Sequence, residues 1–366
     1  MTALGKDLDA LWSRLIQGDS GIKPVGRFPV SSFNSKVAAC IDDLESFVVR
    51  SMVYELLDRL FMTMGPVPKD SFLITASTKA GIDSLERSCR GISADVRDCL
   101  LFHVSDYISQ RFDLTGERLH INAACASSTI ALARGASLIG LNRANSVLIC
   151  CFDIVTEFVF SGFCALQAMS PVPCRPFDKD RKGMNIGEGA ACLLLMNGEK
   201  AKWDGRTPMG ILSGWSVTND AVHITAPAID GAGLILAMKK ALAISGLQEE
   251  AVSAICAHGT GTIYNDLMEL VSFKNVFGDR KVPVFSVKGA IGHTMGAAGG
   301  IEAALCLKCL ASGMIPPTAG LTVPEKEAEG LVSPEPTMID CDYILSTNSG
   351  FGGVNAAVII GKGIES

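Results

Sequence analysis

The sequence predicts a large α/β fold in which buried strands alternate with helices. The chain has 366 residues, enough for two or three domains or for one large duplicated domain. Hydrophobic residues make up 48% of it and charged residues 19%, so a large core can form and extensive disorder is excluded. Apolar runs of strand length alternate with longer segments of helical period, which favours mostly parallel strand pairing.

The first part of the chain has this alternating pattern up to residue 205. Leu8, Leu11 and Leu15 lie on one face of the first predicted helix. Helices are predicted at 7–17, 44–62, 82–89 and 96–112, and strands at 71–76, 146–152 and 189–196. The irregular, proline-containing segment 161–187 is predicted to be a functional loop, because loops of that length are uncommon in compact domains.

The pattern resumes after a glycine-rich and charged segment at 197–209, which predicts a division into 1–205 and 206–366. Strands are predicted at 210–217, 252–257, 282–287, 342–347 and 354–360, and helices at 233–245, 266–277 and 296–310. Because both parts have a similar order of elements, we expect two related halves.

Composition excludes several classes of function. The net charge of −6 argues against non-specific nucleic-acid binding. The 13 cysteines are scattered through predicted core elements, which indicates thiols in a reducing cytoplasm. Cys306 and Cys309 form a CxxC on a predicted helix with no second pair nearby, so no zinc site is expected. No signal-peptide pattern opens the chain, and no apolar run reaches the roughly 20 residues of a membrane helix.

The chemistry of the chain is predicted to depend on Cys125, in the stretch Asn-Ala-Ala-Cys-Ala-Ser-Ser at 122–128. A helix rich in small residues follows it. Free backbone N–H groups and the helix dipole favour a thiolate at such a position. A thiolate attacks carbonyl carbons. A lone cysteine is more often a buried structural residue, so the assignment also depends on two distant histidine motifs.

The first histidine motif is His-Gly-Thr-Gly-Thr at 258–262, between a predicted strand and a predicted helix. Open α/β sheets bind ligands at such strand ends. Asp266 and Glu269 follow on the first turns of the helix. For Asp266 a capping role is favoured over a catalytic one.

The second motif contains Lys288 and His293 and continues through glycines and alanines to Glu302. A buried lysine requires an anionic partner. The last motif, at 348–355, is a glycine-rich turn between two predicted strands, and its N–H groups can point at a developing oxyanion. A strand and not a helix follows this turn, which argues against a dinucleotide-binding motif.

Together these motifs resemble the β-ketoacyl-acyl carrier protein synthases, the condensing enzymes of fatty-acid and polyketide assembly. The Cys-Ala-Ser-Ser turn, His-Gly-Thr-Gly-Thr, Lys-x4-His and Gly-Phe-Gly-Gly-x-Asn occur there in this order, and the blocks at 175–178 and 187–190 are also similar. The resemblance is to the elongating Cys-His-His branch. The chain-starting branch pairs Cys with His and Asn, and thiolases use a second Cys, so His293 argues against both.

The resemblance implies a thiolase-like fold, with two related halves in a five-layered α/β/α/β/α sandwich. It implies no metal or other cofactor. In such an enzyme Cys125 would carry the acyl group, and its N–H and that of Phe351 would form the oxyanion hole. His258 and His293 would bind the malonyl thioester carbonyl during decarboxylation.

The resemblance also implies roles for the supporting residues. Lys288 would orient the first histidine and Glu269, with Glu302 as a further supporting residue. Thr260 and Thr262 would bind the pantetheine arm, and Phe351 would gate the acyl channel. The implied partners are an acyl carrier protein and a second synthase-like subunit, identical or homologous, in the cytoplasm.

The chain departs from the family pattern at three places. An apolar strand that normally opens the family's fold is not evident before residue 5. The segment 28–72 is short, so a reduced cap over the acyl tunnel is expected. Cys256 stands where related synthases can have a polar residue, which weakens any structural cation site. Ser349 stands where an aromatic residue is common, which changes the gate of the acyl channel.

Three alternatives remain open from the sequence. A Cys-His hydrolase or transferase acting on acyl thioesters would need a water path to Cys125. A chain-length-factor-like partner subunit would resemble these synthases but lack the cysteine. The third alternative keeps the chemistry and assigns it to polyketide or polyene assembly.

Overall fold

The computed structural model of the protein describes residues 1–45 and 49–363. The helices are α1 Leu8–Ile16, α2 Met52–Phe61, α3 Ile82–Cys89, α4 Leu101–Arg111, α5 Ser127–Gly140, α6 Glu157–Ala165, α7 Gly198–Trp203, α8 Ala232–Ser245, α9 Ile263–Phe277, α10 Lys288–Ile291 and α11 Ala298–Ser312. The strands are β1 Lys23–Pro24, β2 Val37–Ala38, β3 Phe72–Ala76, β4 Arg118–Ile121, β5 Ser146–Asp153, β6 Gly189–Met196, β7 Gly210–Asn219, β8 Val252–Cys256, β9 Val284–Phe285, β10 Met314–Ile315, β11 Thr337–Met338, β12 Tyr343–Gly350 and β13 Val354–Lys362.

Two sheets organise the described part of the chain. The first has the order β4-β3-β5-β6 and the second the order β7-β13-β12-β8-β9. The chain passes from the first sheet to the second between Met196 and Gly210. Strands β4, β3, β5 and β6 of the first sheet correspond in order to β9, β8, β12 and β13 of the second. Among the described residues, the first sheet has no strand that corresponds to β7, whose place would be beside β6. At that position only Met1 and Thr2 pair, with Ala190 and Gly189.

Strand pairing is less parallel than the sequence predicted. Pairs β3–β4, β3–β5, β8–β12 and β8–β9 are parallel, but β5–β6, β12–β13 and β7–β13 are antiparallel. The turn between β12 and β13 is too short for the crossover that a parallel pair needs, so this pair must be antiparallel.

The predicted five-layered sandwich is confirmed. Helices α5 and α11 pack against each other between the two sheets, α2 and α4 cover the outer face of the first sheet, and α8 covers the outer face of the second, with α9 against α8.

The central helices are rich in small residues because they lie close to each other. A Cβ atom at Gly299 of α11 would lie 1.9 Å from Oγ1 of Thr129 on α5 and 2.7 Å from Oδ1 of Asn348. The segment Met295–Ser312 has the length and apolar composition of a membrane span, but 72% of it is buried inside the fold, as expected of a central core helix.

Several predicted elements differ from the structure. The helix predicted at 96–112 is divided into a 3-10 turn at Val96–Cys99 and α4, and the strand predicted at 282–287 is reduced to β9. The loop predicted at 161–187 begins with the end of α6, which the Thr156 side chain caps by accepting from Val159 N–H. The segment 197–209 contains the short helix α7, capped by Asn197. The helix predicted at 44–62 begins at Met52 after the capping residue Ser51; residues 46–48 of that prediction lie outside the described residues.

Candidate active site

Cys125 lies in a strained turn just before α5. Ala124 has a φ of +49°, an uncommon value for a residue with a side chain, and α5 begins at Ser127. The Ser127 hydroxyl accepts from Ala123 N–H at 2.9 Å and donates to Ala124 C=O at 2.6 Å, which fixes the turn. Cys125 is 6% exposed, at the end of a cavity.

His258 follows the carboxyl end of β8, and α9 fixes its backbone. The Glu269 carboxylate accepts from the N–H groups of His258 and Gly259, each at 2.7 Å. Burial, with the nearby charge of Asp266, raises the pKa of Glu269 to about 8. Asp266 accepts from Thr260 N–H at 3.1 Å, so both carboxylates hold the histidine turn.

His293 is positioned by a segment from the first half of the chain. Its N–H donates to Asn185 C=O at 2.7 Å, and its C=O accepts from Gly187 N–H at 2.9 Å. Gly292 precedes it with a φ of +67°, and a Cβ atom there would lie 2.8 Å from the Ile186 backbone. A glycine is therefore required immediately before this histidine.

These three residues, predicted from distant motifs, converge on one cavity. The Cys125 sulfur and one ring nitrogen of each of His258 and His293 all lie within 4.8 Å of one another. The two imidazole rings are perpendicular, with centroids 5.1 Å apart. The cavity has a volume of about 410 Å³.

Hydrogen bonds determine which nitrogen of each imidazole carries the proton. The Nδ1 atom of His293 accepts from Met295 N–H at 3.3 Å, and Nδ1 of His258 lies 3.3 Å from the amide nitrogen of Asn348. Burial and the charge of Lys288 lower the pKa of both rings well below the usual value, so both are neutral. A neutral ring whose Nδ1 accepts has its proton on Nε2, and both rings therefore present an Nε2–H donor.

The same hydrogen bonds bear on metal binding. Cys, His and His are side chains that can bind Zn²⁺. A histidine that binds a metal through Nε2 normally donates its Nδ1–H to an acceptor. Here both Nδ1 atoms face donors, so the trio as bonded is suited to donating hydrogen bonds and not to ligating a metal.

Lys288 has the anionic partner that the sequence predicted for it. Its Nζ donates to Glu302 Oε1 at 2.5 Å, and both side chains are almost completely buried. The positive charge of Lys288 also acts on His258 and Glu269, where it opposes the rise that burial causes in the pKa of Glu269. The predicted orientation of His258 and Glu269 by Lys288 remains a prediction.

Burial of Cys125 opposes the thiolate that the sequence predicts there. Burial raises the pKa of Cys125 to about 12, against the lowering effects of the Lys288 charge and of the backbone N–H groups of Phe351 and Cys125 itself. Those two N–H groups lie within hydrogen-bonding reach of the sulfur, and their role as the oxyanion hole remains a prediction.

The remaining predicted binding residues line the same cavity. Thr260 and Thr262 lie on one wall with their hydroxyl oxygens 2.9 Å apart. Phe351 also lines the cavity, and its ring centroid is 5.9 Å from that of Phe163 on α6.

Two polar residues that the sequence did not single out support the trio. Asn348 joins Glu302 to His258, and Asp153 accepts from Gly296 N–H at 2.6 Å and Ser77 Oγ at 2.8 Å. Asn348 belongs to the last motif, and Asp153 directly follows the strand predicted at 146–152. The side-chain partners of both residues are distant in sequence, so the spacing of the motifs does not reveal these contacts.

Two models of one protein family match the chain. Models described as "Beta-ketoacyl synthase, N-terminal domain" and "Beta-ketoacyl synthase, C-terminal domain" match residues 74–201 and 209–322. The chain is 30% identical to 3-oxoacyl-acyl-carrier-protein synthase II, chloroplastic, of Arabidopsis thaliana, over 98% of this chain and 73% of that protein. The chain belongs to the β-ketoacyl synthase family.

Other similarities agree with this assignment. The chain is 28% identical to 3-oxoacyl-acyl-carrier-protein synthase 2 of Coxiella burnetii, over 99% of this chain and 96% of that protein. The structure called the ishigamide ketosynthase/chain length factor superposes with a TM-score of 0.87 at 26% identity, over 99% of this chain and 96% of that one. As a β-ketoacyl synthase, the protein is an acyltransferase with a thiolase-like fold.

Proposed function

We propose that this synthase catalyses the decarboxylative condensation of a malonyl thioester with an acyl group held on Cys125. The observation that carries the proposal is the convergence of one sulfur and two Nε2–H donors on a single cavity. A nucleophile beside two neutral donors can both bind an acyl group and stabilise an enolate oxygen.

In the first step the acyl group moves from the pantetheine thiol of an acyl carrier protein to Cys125. The sulfur attacks the thioester carbon, and the N–H groups of Cys125 and Phe351 stabilise the tetrahedral oxyanion. The carbon–sulfur bond to pantetheine then breaks. The proton of the Cys125 thiol passes to the departing pantetheine sulfur, so the step balances.

In the second step the malonyl thioester accepts hydrogen bonds from His258 and His293 on its carbonyl oxygen. The bond to the carboxylate breaks, carbon dioxide leaves, and its electron pair forms an enolate that the two Nε2–H groups stabilise. The enolate carbon attacks the acyl-Cys125 carbonyl. Collapse of that intermediate expels the Cys125 thiolate, which takes a proton from solvent, and releases a β-ketoacyl thioester two carbons longer.

The other site residues position these groups. Glu269 fixes the His258 backbone, and the Lys288–Glu302 ion pair supplies a buried charge near both rings. Thr260 and Thr262 would hydrogen-bond the pantetheine arm where it passes along their wall of the cavity.

The partners follow from this chemistry. An acyl carrier protein must deliver both thioesters, and we propose a dimer with a second synthase-fold subunit, identical or homologous. We assign the protein to fatty-acid or polyketide assembly. We place the boundary between its two halves at residues 205 and 206. The cytoplasm remains its predicted location. The thirteen cysteines are all free thiols, which supports a reducing compartment.

Two alternatives are less well supported. A hydrolase needs a base to deprotonate water, but both imidazoles present a protonated Nε2 to the cavity. A chain-length-factor-like subunit would lack the nucleophile, whereas Cys125 is present and lies at the trio.

To test the proposal, the Cys125→Ala variant is incubated with carrier protein that bears an acyl group and carrier protein that bears a malonyl group. Mass spectrometry then detects the acylated enzyme and the β-ketoacyl product. We expect neither acyl loading nor β-ketoacyl product, while Cys89→Ala, which removes an exposed thiol, keeps full activity. Condensation at the parental rate by Cys125→Ala would contradict the mechanism.

A further inference from the structure

We propose that Asn348 is a positioning residue that fixes the tautomer of His258 and couples this ring to the buried Lys288–Glu302 ion pair. The inference deepens the proposed function, because the tautomer decides whether His258 can donate to the malonyl carbonyl. Asn348 does not touch the cavity. It is completely buried behind the ring, near the end of β12.

Every hydrogen-bonding group of the Asn348 side chain has a partner. Its Nδ2 donates to Glu302 Oε2 at 2.7 Å and lies 3.3 Å from Nδ1 of His258. Its Oδ1 accepts from the hydroxyl of Thr129, on the helix that follows the nucleophile. An amide nitrogen carries two hydrogens, which suffice for the carboxylate and the imidazole together.

These partners also determine the orientation of the amide. If oxygen and nitrogen were exchanged, the amide oxygen would face the Glu302 carboxylate, and two acceptors would be buried against each other. The Thr129 hydroxyl would then have to accept from the amide instead of donating to it. With the nitrogen towards Glu302, His258 Nδ1 meets a donor and must accept, so its proton lies on Nε2.

The connection extends from the lysine to the ring. Lys288 pairs with Oε1 of Glu302, Asn348 binds Oε2, and the same amide nitrogen contacts His258. Glu302 therefore has both oxygens hydrogen-bonded without contacting the imidazole. If the amide were absent, Nδ1 could carry the proton, and Nε2 would then face the substrate carbonyl with a lone pair.

The test uses Asn348→Asp, which keeps the shape of the side chain but replaces the donor with an acceptor. Two independent properties are measured: the tautomer of His258, by nitrogen NMR of histidine-labelled protein, and the rates of acyl loading and of carbon dioxide release from malonyl carrier protein. Ser346→Ala is the matched control. Ser346 lies two residues earlier on the same strand and is equally buried, and its hydroxyl has no hydrogen-bond partner among the described residues.

We expect the proton of His258 on Nε2 in the parental protein and on Nδ1 in Asn348→Asp. We expect carbon dioxide release to fall about 10- to 100-fold, the usual cost of losing a group that orients a histidine, with acyl loading changed by less than roughly threefold. Ser346→Ala should match the parental protein in both properties. If Asn348→Asp does not fold, Asn348→Ser, which removes the amide, is measured in the same way.

An unchanged tautomer in the variants overturns the proposal, whatever the rates. Equal losses of loading and of carbon dioxide release also overturn it, because they indicate a general structural defect. A parental protein that releases no carbon dioxide contradicts the proposed function instead. The NMR measurement still tests Asn348 in that case, so the two failures are distinguishable.

Discussion

At Cys125 two influences act on the sulfur in opposite directions. Removal from water disfavours the thiolate, whereas the start of α5, two backbone N–H groups and the charge of Lys288 favour it. Burial has the larger effect, and the pKa rises to about 12. Burial therefore favours the thiol form of Cys125 at neutral pH.

This balance predicts the pH dependence of alkylation. A group whose pKa is raised has less of its thiolate form at any pH below that pKa, so the alkylation rate of Cys125 should rise about tenfold per pH unit from pH 7 to pH 10. Mass spectrometry of the Cys125 peptide after timed exposure to iodoacetamide measures it. The exposed Cys89 in the same digest is the internal control for the reagent. A rate for Cys125 that is already constant above pH 7 would show that the helix terminus outweighs burial.

The Lys288–Glu302 pair should behave as a buried ion pair. Lys288→Met leaves Glu302 charged without its cation, and we expect a loss of about 3–5 kcal/mol in the free energy of unfolding. The double variant Lys288→Met/Glu302→Gln should lose less than the sum of the two single changes, because neither charge is then left alone. Urea denaturation measures all three variants; strictly additive losses would mean that the two side chains are not coupled.

Among the individual site residues, the sequence predicted those that belong to distinctive motifs. It missed those whose role depends on contacts with residues distant in sequence. Cys125, His258 and His293 stand in recognisable stretches, and the cost of burying a lysine correctly predicted an anionic partner for Lys288. The sequence could not select Glu302 over Glu269 as that partner, because the choice depends on how α11 and α9 are placed in space.

Among the elements, α5 and α11 determine how closely the two halves approach. A Cβ atom at Gly299 of α11 would collide with Thr129 of α5. The close contact between these two helices also holds Asn348 in place. We expect Gly299→Ala to lower the free energy of unfolding by about 1–3 kcal/mol through overpacking. It should also slow condensation, because Thr129 and Asn348 must move.

The matched change is Gly140→Ala at the end of α5, where a Cβ atom meets no other atom within 4 Å. Alanine is preferred to glycine in a helix, so this variant should be as stable as the parental protein or more stable. Thermal unfolding of both variants tests the comparison. If the Gly299→Ala protein were as stable as Gly140→Ala, then α5 and α11 could move apart enough to accommodate the added methyl group.

Element type followed from the sequence more reliably than strand direction did. Apolar runs and helical periods correctly placed β5, β6, β8 and α5, because burial dictates these patterns locally. Periodicity does not encode direction, however, and the prediction of mostly parallel pairing was wrong for β5–β6 and for β13 with both of its neighbours. Part of α6 was predicted as loop, because Gly162 and the prolines after it obscured its end.

At the scale of the molecule, the active site exists only where the two halves meet. Cys125 comes from the first half and both histidines from the second, while residues 185–187 of the first half fix the position of His293. The resemblance of the motifs to a family predicted this arrangement, and local patterns alone did not.

We propose that the second subunit pairs at the edge of β4, which among the described strands pairs only with β3. The Leu73 N–H donates to Glu117 C=O, so Glu117, Leu119 and Ile121 face β3, and the backbone groups of Arg118 and His120 face outward. His120→Pro removes one outward N–H, and we expect sedimentation to show a shift from dimer to monomer. The control Cys89→Ala, far from this strand in sequence, should remain dimeric. An unchanged dimer in a folded His120→Pro protein would place the interface elsewhere.

The proposed division of labour between Cys125 and the two histidines is tested by measuring acyl-Cys125 formation and carbon dioxide release together in the His293→Ala variant. We expect acyl loading to stay near the parental rate and carbon dioxide release to fall by at least about 100-fold, because one of two donors to the enolate oxygen is lost. Equal losses of both activities, or carbon dioxide release at the parental rate, would rule out the role proposed for His293.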